Sequence, residues 1–335
     1  MNIIRSRAYA RLGIVGNPSD GYNGKTLSLS LRNFRAKVVL YDWPQIEVLP
    51  SQEDHSRFGS PRDLVRDVEL HGYYGGIRLV KATIKRFVEF CDEQGIELHD
   101  RCFSVRYESN IPRQVGLAGS SAIIVATLRA LIEFYGVEIA EQVQPSLALS
   151  VETRELGLSA GLQDRVIQVY DGFVFMDFSP ERMQMQSGLI CGAYERIDPQ
   201  QLPPLYFAWG TDHSEPTEVF HNNLRYRFNN GEADVVAAMH GFAKLAEDAR
   251  KALINRDAEK FADCIDRNFD LRQSICRLPR NQVAMVEAAR SVGATAKFAG
   301  SGGAIVGTYR DDAMLRSLTV NLASIGCRVA NPVAV

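Results

Sequence analysis

Apolar residues recur along this chain at two spacings, and the changes between them mark out its elements. Tyr9 to Gly16 (YARLGIVG) and Ala36 to Asp42 (AKVVLYD) are short and β-rich, and Thr26 to Leu31 (TLSLSL) alternates polar with apolar as a half-buried strand does. From about Gly75 to Glu93 the period lengthens. Ile77, Val80, Ile84, Phe87, Val88 and Cys91 fall on one face, which predicts a long helix with one side in the core. Phe103 to Glu108 reads as a strand, a glycine-rich loop follows, and Ser120 to Tyr135 is a strongly apolar helix. Residues 145–156 and 162–170 have helical character, Phe173 to Phe178 is strand-like, and Ser179-Pro180 punctuates the chain. Beyond it Leu205 to Trp209 is a strand and residues 215–293 are almost continuously helical. Ala294 to Tyr309 holds two strands around a second glycine cluster, and a helix over 312–324 and a final strand complete the pattern. The pattern predicts an α+β protein. Its 335 residues exceed what one core usually organises, so two domains are expected, 1–185 and 186–335.

Charge narrows the classes of partner. Lysine plus arginine (38) nearly cancels aspartate plus glutamate (40), which leaves no basic field to hold a nucleic-acid backbone. Arg5, Arg7 and Arg11 interrupt any apolar leader and no uncharged apolar run reaches about 18 residues, so no membrane partner is expected. Cysteines 91, 102, 191, 264, 276 and 327 form no CxxC pair and read as reduced core residues. The expected setting is cytoplasmic. Nothing in the pattern fixes an oligomeric state.

Three glycine clusters are candidates for chemistry. PRQVGLAGSSA (112–122) gathers Gly116, Gly119, Ser120 and Ser121 just before the apolar helix. Glycines let backbone N–H groups converge on an anion, the helix N-terminus adds unpaired donors, and the serines offer hydroxyls to a phosphate or a magnesium ion. Taken alone, the segment reads equally well as a capped turn with Ser120 as N-cap. Gly21 to Thr26 ends in the GKT of a phosphate-binding P-loop, but the first glycine that motif requires falls on Ser19. Asn17 to Gly21 is then a turn, with Asp20 and Lys25 keeping it open as a ligand site. Lys297 to Gly303 (KFAGSGG) lies between two apolar strands, where a tight turn is the plain account. In ETRELGLSAGLQDR, Glu152 and Asp164 flank a glycine-containing turn with Arg165 adjacent; in isolation these are surface charges.

In this order the pieces resemble the GHMP kinases, the superfamily of galactokinase, homoserine kinase, mevalonate kinase and phosphomevalonate kinase. The pattern PxxxGLxGSSA is matched by Pro112, Gly116, Leu117, Gly119, Ser120, Ser121 and Ala122, and a first motif is similar to Arg11 to Pro18. Lys297 to Gly303 matches a third. Within the superfamily, the segments GNPSDGYNGKTLSLS, GYYGGIRL, NIPRQVGLAGSSAI, ELGLSAGLQDRV, NFDLR and AKFAGSGGA look like those of the plant glucuronokinases, while Trp209 to Thr217 (WGTDHSEPT) departs most.

The resemblance implies a two-domain fold with a mixed N-terminal sheet, a ferredoxin-like C-terminal part and the active site in the cleft between them. It also implies ATP and Mg2+, and transfer of phosphate to the anomeric hydroxyl of a sugar acid. Ser121 and Glu152 become magnesium ligands. The 112–122 loop, with Gly300, Ser301 and Gly302, holds ATP. Asp164 becomes the base and Arg11 its cationic partner. Asp20 and Lys25 become substrate contacts, and Arg165 a candidate for the substrate carboxylate. A 1-kinase for another sugar, a non-catalytic relative that binds nucleotide or sugar, and a scaffold whose glycine clusters are only turns stand as alternatives.

Overall fold

The computed structural model describes residues 3–51, 75–211 and 218–333. Strands β1 (Ile3–Val15) and β2 (Lys25–Asp42) are antiparallel partners along most of their length, and one 3-10 turn at Ser19–Tyr22 interrupts the connection between them. Two separate strands were expected over 26–31 and 36–42. They run together because the polar interval between them is absorbed in a bulge: Tyr9 pairs with Arg35, and the next residue, Ala10, with Leu31. Thr26, Ser28 and Ser30 are fully buried, so this part of β2 is covered on both faces and is not half-buried as its alternation suggested.

The free edge of β2 carries two further strands in succession. Residues 36–42 pair with β4 (Phe103–Ser109) and residues 25–29 with β5 (Phe173–Asp177). The short β3 (Glu47–Leu49) lies parallel to β4, and β8 (Tyr194–Ile197) antiparallel to β5, completing a mixed sheet of six strands among the described residues. A separate hairpin, β6 (Met183–Gln186) with β7 (Leu189–Gly192), was not anticipated; four-residue strands carry too few positions for a period to register.

Helices α1 (Gly76–Glu93), α2 (Gly119–Tyr135), α3 (Gln144–Ser150) and α4 (Gln163–Tyr170) belong to this half, with α2 and α4 packed on β1 and β2. The second sheet is antiparallel: β9 (Leu205–Gly210) lies between β11 (Ala304–Thr308) and β12 (Cys327–Ala330), with β10 (Lys297–Phe298) outside β11. The helical stretch between the sheets breaks into α5 (Glu218–Asn229), α6 (Ala233–Ile254), α7 (Ala258–Ile275) and α8 (Arg280–Arg290). Asp257 caps α7 through a bond from the Lys260 amide, and Pro279 precedes α8. Helix α9 (Asp312–Ser324) follows β11.

One core runs under both sheets, since Leu12, Leu29 and Ile124 share a buried cluster with Phe207, Phe261 and Ala299. Because β8 extends the first sheet to Ile197 and β9 opens the second at Leu205, we propose that the change of unit falls between them rather than after residue 185. Among the described residues no helix is long and apolar enough to cross a membrane.

Candidate active site

Arg11 lies in the buried half of β1 and is 6% exposed. Its Nε donates to Asp164 Oδ1 at 2.6 Å, and its Nη1 donates to the carbonyls of Gly116 at 2.6 Å and Ala299 at 3.1 Å. Backbone bonds repeat the junction: Arg11 N donates to Leu117 O and Gly13 N to Ala299 O. One guanidinium therefore joins all three glycine-bearing motifs to a carboxylate 153 positions away.

The loop before α2 turns through positive φ at Gln114, Gly116 and Ala118. At Gly116 (φ +67°) a Cβ would lie 2.7 Å from Gly302 O, so glycine is what lets the two loops close on each other. The residue preceding α2 is Ala118, which supplies no side-chain cap, and Ser120 lies inside the first turn instead of capping it. The first amides of α2 thus keep their capacity for an anion. Leu117 and Ala122 are buried packing residues, and Pro112 is half-buried at the loop's start. On the facing side, Arg272 donates to the carbonyls of Gly300 at 2.7 Å and Ser301 at 2.9 Å, fixing the loop that ends in Gly302.

Four charged residues converge beside these loops. Glu152, 3% exposed, sits on a π turn (Val151–Glu155) that follows α3. Its Oε2 accepts from Arg165 Nε at 2.7 Å and also from Arg165 Nη2, while its Oε1 accepts from Ser120 Oγ at 3.4 Å. Ser121, expected beside Glu152, is 1% exposed and donates to Ala118 O. The helix turns its hydroxyl inward and presents that of Ser120. Arg165, expected at a substrate carboxylate, is 5% exposed and held by Glu152 and Gly161 O, with Nη1 3.6 Å from Asp164 Oδ2. Asp20 reaches the same turn, accepting from Gln163 N at 3.3 Å, and its carboxylate fills the space where a Cβ on residue 161 would stand. Burial, and after it the charge of Asp164, raise the Asp20 carboxyl from 3.8 to about 6.

Ser120 Oγ and Glu152 Oε1 can offer two oxygens to a magnesium ion, whose remaining positions phosphate and water would fill. Among the described residues no cluster of three or more His, Cys, Asp or Glu forms an all-protein metal site. That donor set suits an ion carried in with a phosphate chain.

Lys25 lies 3.3 Å from Asp177 and 3.4 Å from Glu247. Lys297 is 1% exposed and donates to Gly13 O, Asn17 Oδ1 and Phe298 O; burial, with Arg272 and Arg11 nearby, drives its pKa well below the ordinary lysine value. Residues 212–217 of the divergent WGTDHSEPT stretch lie outside the described residues. Two contributors were not assigned a role from sequence. Asn268 accepts from Gly16 N at 2.6 Å and donates to Asn17 O, and Arg272, four positions on, holds the opposite loop. The signal was available: two polar residues on the buried face of a helix that otherwise presents Phe261, Cys264, Ile265 and Phe269.

Residues 78–172 match the family model for the GHMP kinases N terminal domain. The chain is 44% identical over 310 residues to "Glucuronokinase 1" of Arabidopsis thaliana, covering 90% of this chain and 84% of that one. Its fold is similar to that of Streptococcus pneumoniae phosphomevalonate kinase in complex with phosphomevalonate and AMPPNP (TM-score 0.75, 14% identity, 99% of this chain and 100% of that one). It is likewise similar to Lactococcus lactis galactokinase complexed with galactose (TM-score 0.75, 12% identity, 98% and 93%). The α+β fold expected from the motifs is borne out by these likenesses.

Proposed function

This chain belongs to the GHMP kinases, and from that premise we propose that it transfers the γ-phosphoryl group of ATP to the anomeric hydroxyl of a uronic acid, D-glucuronate above all. The observation that carries the reading is the 44% identity to a glucuronokinase sustained over 90% of the chain. The geometry supports it: a carboxylate, Asp164, stands on the cation that also grips both glycine loops.

In this reading the amides from Gly116 to the first turn of α2 receive the phosphates, with Gly300 to Gly302 closing from the other side. Asp164 accepts the proton of the sugar hydroxyl, which is more acidic at the anomeric carbon than in an ordinary alcohol, so a weak base suffices. Arg11 sets that base against the loop and steadies the charge of the group in transit. Magnesium would be held by Glu152 and Ser120, and when bound it neutralises phosphate charge. Arg165 keeps Glu152 in place, and Asp20 accepts hydrogen bonds from ring hydroxyls. A cytoplasmic setting accords with six cysteines that all stand as free thiols.

The test is ADP release over glucuronate, galacturonate, glucose and galactose under identical ATP and magnesium, with the product position assigned by phosphorus NMR. Glucuronate should be the best acceptor and its 1-phosphate the product. Equal or better use of a neutral hexose would remove the uronate assignment and leave the kinase standing.

A further inference from the structure

A uronate differs from the corresponding neutral hexose by a carboxylate, and a protein that selects it needs a cation whose hydrogen-bonding edge is not already taken. Most cations around the cleft are engaged. Arg11 holds Asp164 and two carbonyls, Lys25 sits between Asp177 and Glu247, and Arg165 is buried against Glu152. Lys297 and Arg272 are buried on backbone and amide oxygens.

Arg225, on α5, is placed differently. It is partly exposed, and among the described residues its one hydrogen bond is a donation from Nη1 to Gly21 O at 2.7 Å. Its guanidinium carbon stands 4.6 Å from the centroid of the Tyr22 ring. Among the described residues no carboxylate is ion-paired with it. A Cβ on residue 21 would come within 2.9 Å of its Nη2, so a larger residue there would push against the guanidinium. Underneath, Tyr22, Leu224 and Phe242 form one buried cluster that fixes α5 to this turn.

We propose that Arg225 is the residue that reads the sugar carboxylate, an inference that rests on the uronate reading above. The order of groups along the site motivates it. Asp164 stands beside Gln163, whose amide binds Asp20; Gly21 follows Asp20, and its carbonyl anchors Arg225. A pyranose with its anomeric hydroxyl at Asp164 and its ring hydroxyls at Asp20 would extend its carboxylate along the same turn, to which Arg225 is bonded at Gly21. A guanidinium edge suits this task because its planar donors match a carboxylate in two parallel bonds. With one face on Tyr22, the group is held in place and partly shielded from water.

The experiment compares kcat/KM for glucuronate and glucose in the wild type, Arg225→Gln and Arg225→Lys, with ATP KM and melting temperature measured alongside. Arg225→Gln is expected to lose on the order of 10–150-fold with glucuronate, the loss of one charge-assisted contact, while glucose and ATP are unchanged. Arg225→Lys, which keeps the charge and loses the fork, should fall between. An unchanged ratio of glucuronate to glucose in Arg225→Gln overturns the inference and leaves the uronate kinase intact. Equal losses on both sugars in Arg225→Lys overturn it as well, by showing a structural role. A wild type that prefers glucose removes the uronate reading itself, and the inference with it.

Discussion

Arg11 and Asp164 meet at 2.6 Å, Nε to Oδ1, and the same guanidinium holds Gly116 O and Ala299 O. The position of Asp164 is therefore tied to both glycine loops. Asp164→Asn keeps the side-chain shape and removes the carboxylate proposed to accept the proton. It should lower kcat by about 10²–10⁴-fold with ATP affinity nearly unchanged. Single-turnover kinetics alongside nucleotide titration checks this, and a variant retaining most of its kcat would take Asp164 out of the mechanism.

Ser120 and Ser121 should separate by phenotype. Ser120 Oγ is the hydroxyl in reach of Glu152, so Ser120→Ala should raise the magnesium concentration needed for half-maximal rate. Its defect should also be less than multiplicative with that of Glu152→Gln, as expected of groups that act as a unit. Ser121 is buried and bonded to Ala118 O, so Ser121→Ala should cost about 1 kcal/mol of stability and leave the magnesium requirement alone. Magnesium titrations of Ser120→Ala, Glu152→Gln, their double variant and Ser121→Ala decide it; a shifted requirement in Ser121→Ala alone would restore the pairing expected from sequence.

The glycine loops could be picked out from sequence because close backbone approach restricts residue type strongly, whereas Asp164, a surface charge when read in isolation, was singled out only by the family resemblance. Rotation about a helix axis is less visible. Whether Ser120 or Ser121 faces the cleft depends on α2 beginning at Gly119 after Ala118 in the left-handed region, a one-residue matter that composition does not settle. The fate of a cation is equally hidden. Lys25 and Arg165 were candidate ligands beside glycines, yet each is engaged by a carboxylate from a distant segment: Glu247 and Glu152. Polar alternation misled over Thr26 to Leu31 for a related reason, since a strand covered on both faces buries its serines and leucines alike.

Asp20 should write itself into the pH dependence of stability. Its carboxyl, raised to about 6 by burial and then by Asp164, binds its proton more tightly folded than unfolded, where about 3.9 is ordinary. Gln163 N, Arg11 and Arg165 oppose the shift without cancelling it. The stabilising contribution is then fully present below about pH 4 and lost as pH climbs through about 6. Because Asp20 and Asp164 interact, the transition belongs to the pair. Sugar-free wild type should lose stability relative to Asp20→Asn between pH 4.5 and 7.5. Parallel melting curves for the two proteins across that range would contradict the assignment.

Arg165 and Glu152 are 6% and 4% exposed at their side chains, so neither charge has water to fall back on. Removing one partner of such a pair strands the other, at a cost of about 3–5 kcal/mol. Arg165→Met should therefore destabilise the fold by that amount in denaturant unfolding, and adding Glu152→Gln should recover part of the loss, because the stranded carboxylate is then neutral. Activity gives the sharper discrimination. If Arg165 acts by holding Glu152 and lying 3.6 Å from Asp164, then Arg165→Lys should slow glucuronate and glucose by similar factors, since both sugars use the same metal ligand and base. If Arg165 instead reads the substrate carboxylate, only glucuronate should suffer. The ratio of kcat/KM for the two sugars in Arg165→Lys, set beside the same ratio in Arg225→Gln, therefore tells which arginine meets the substrate and which one holds the machinery in place.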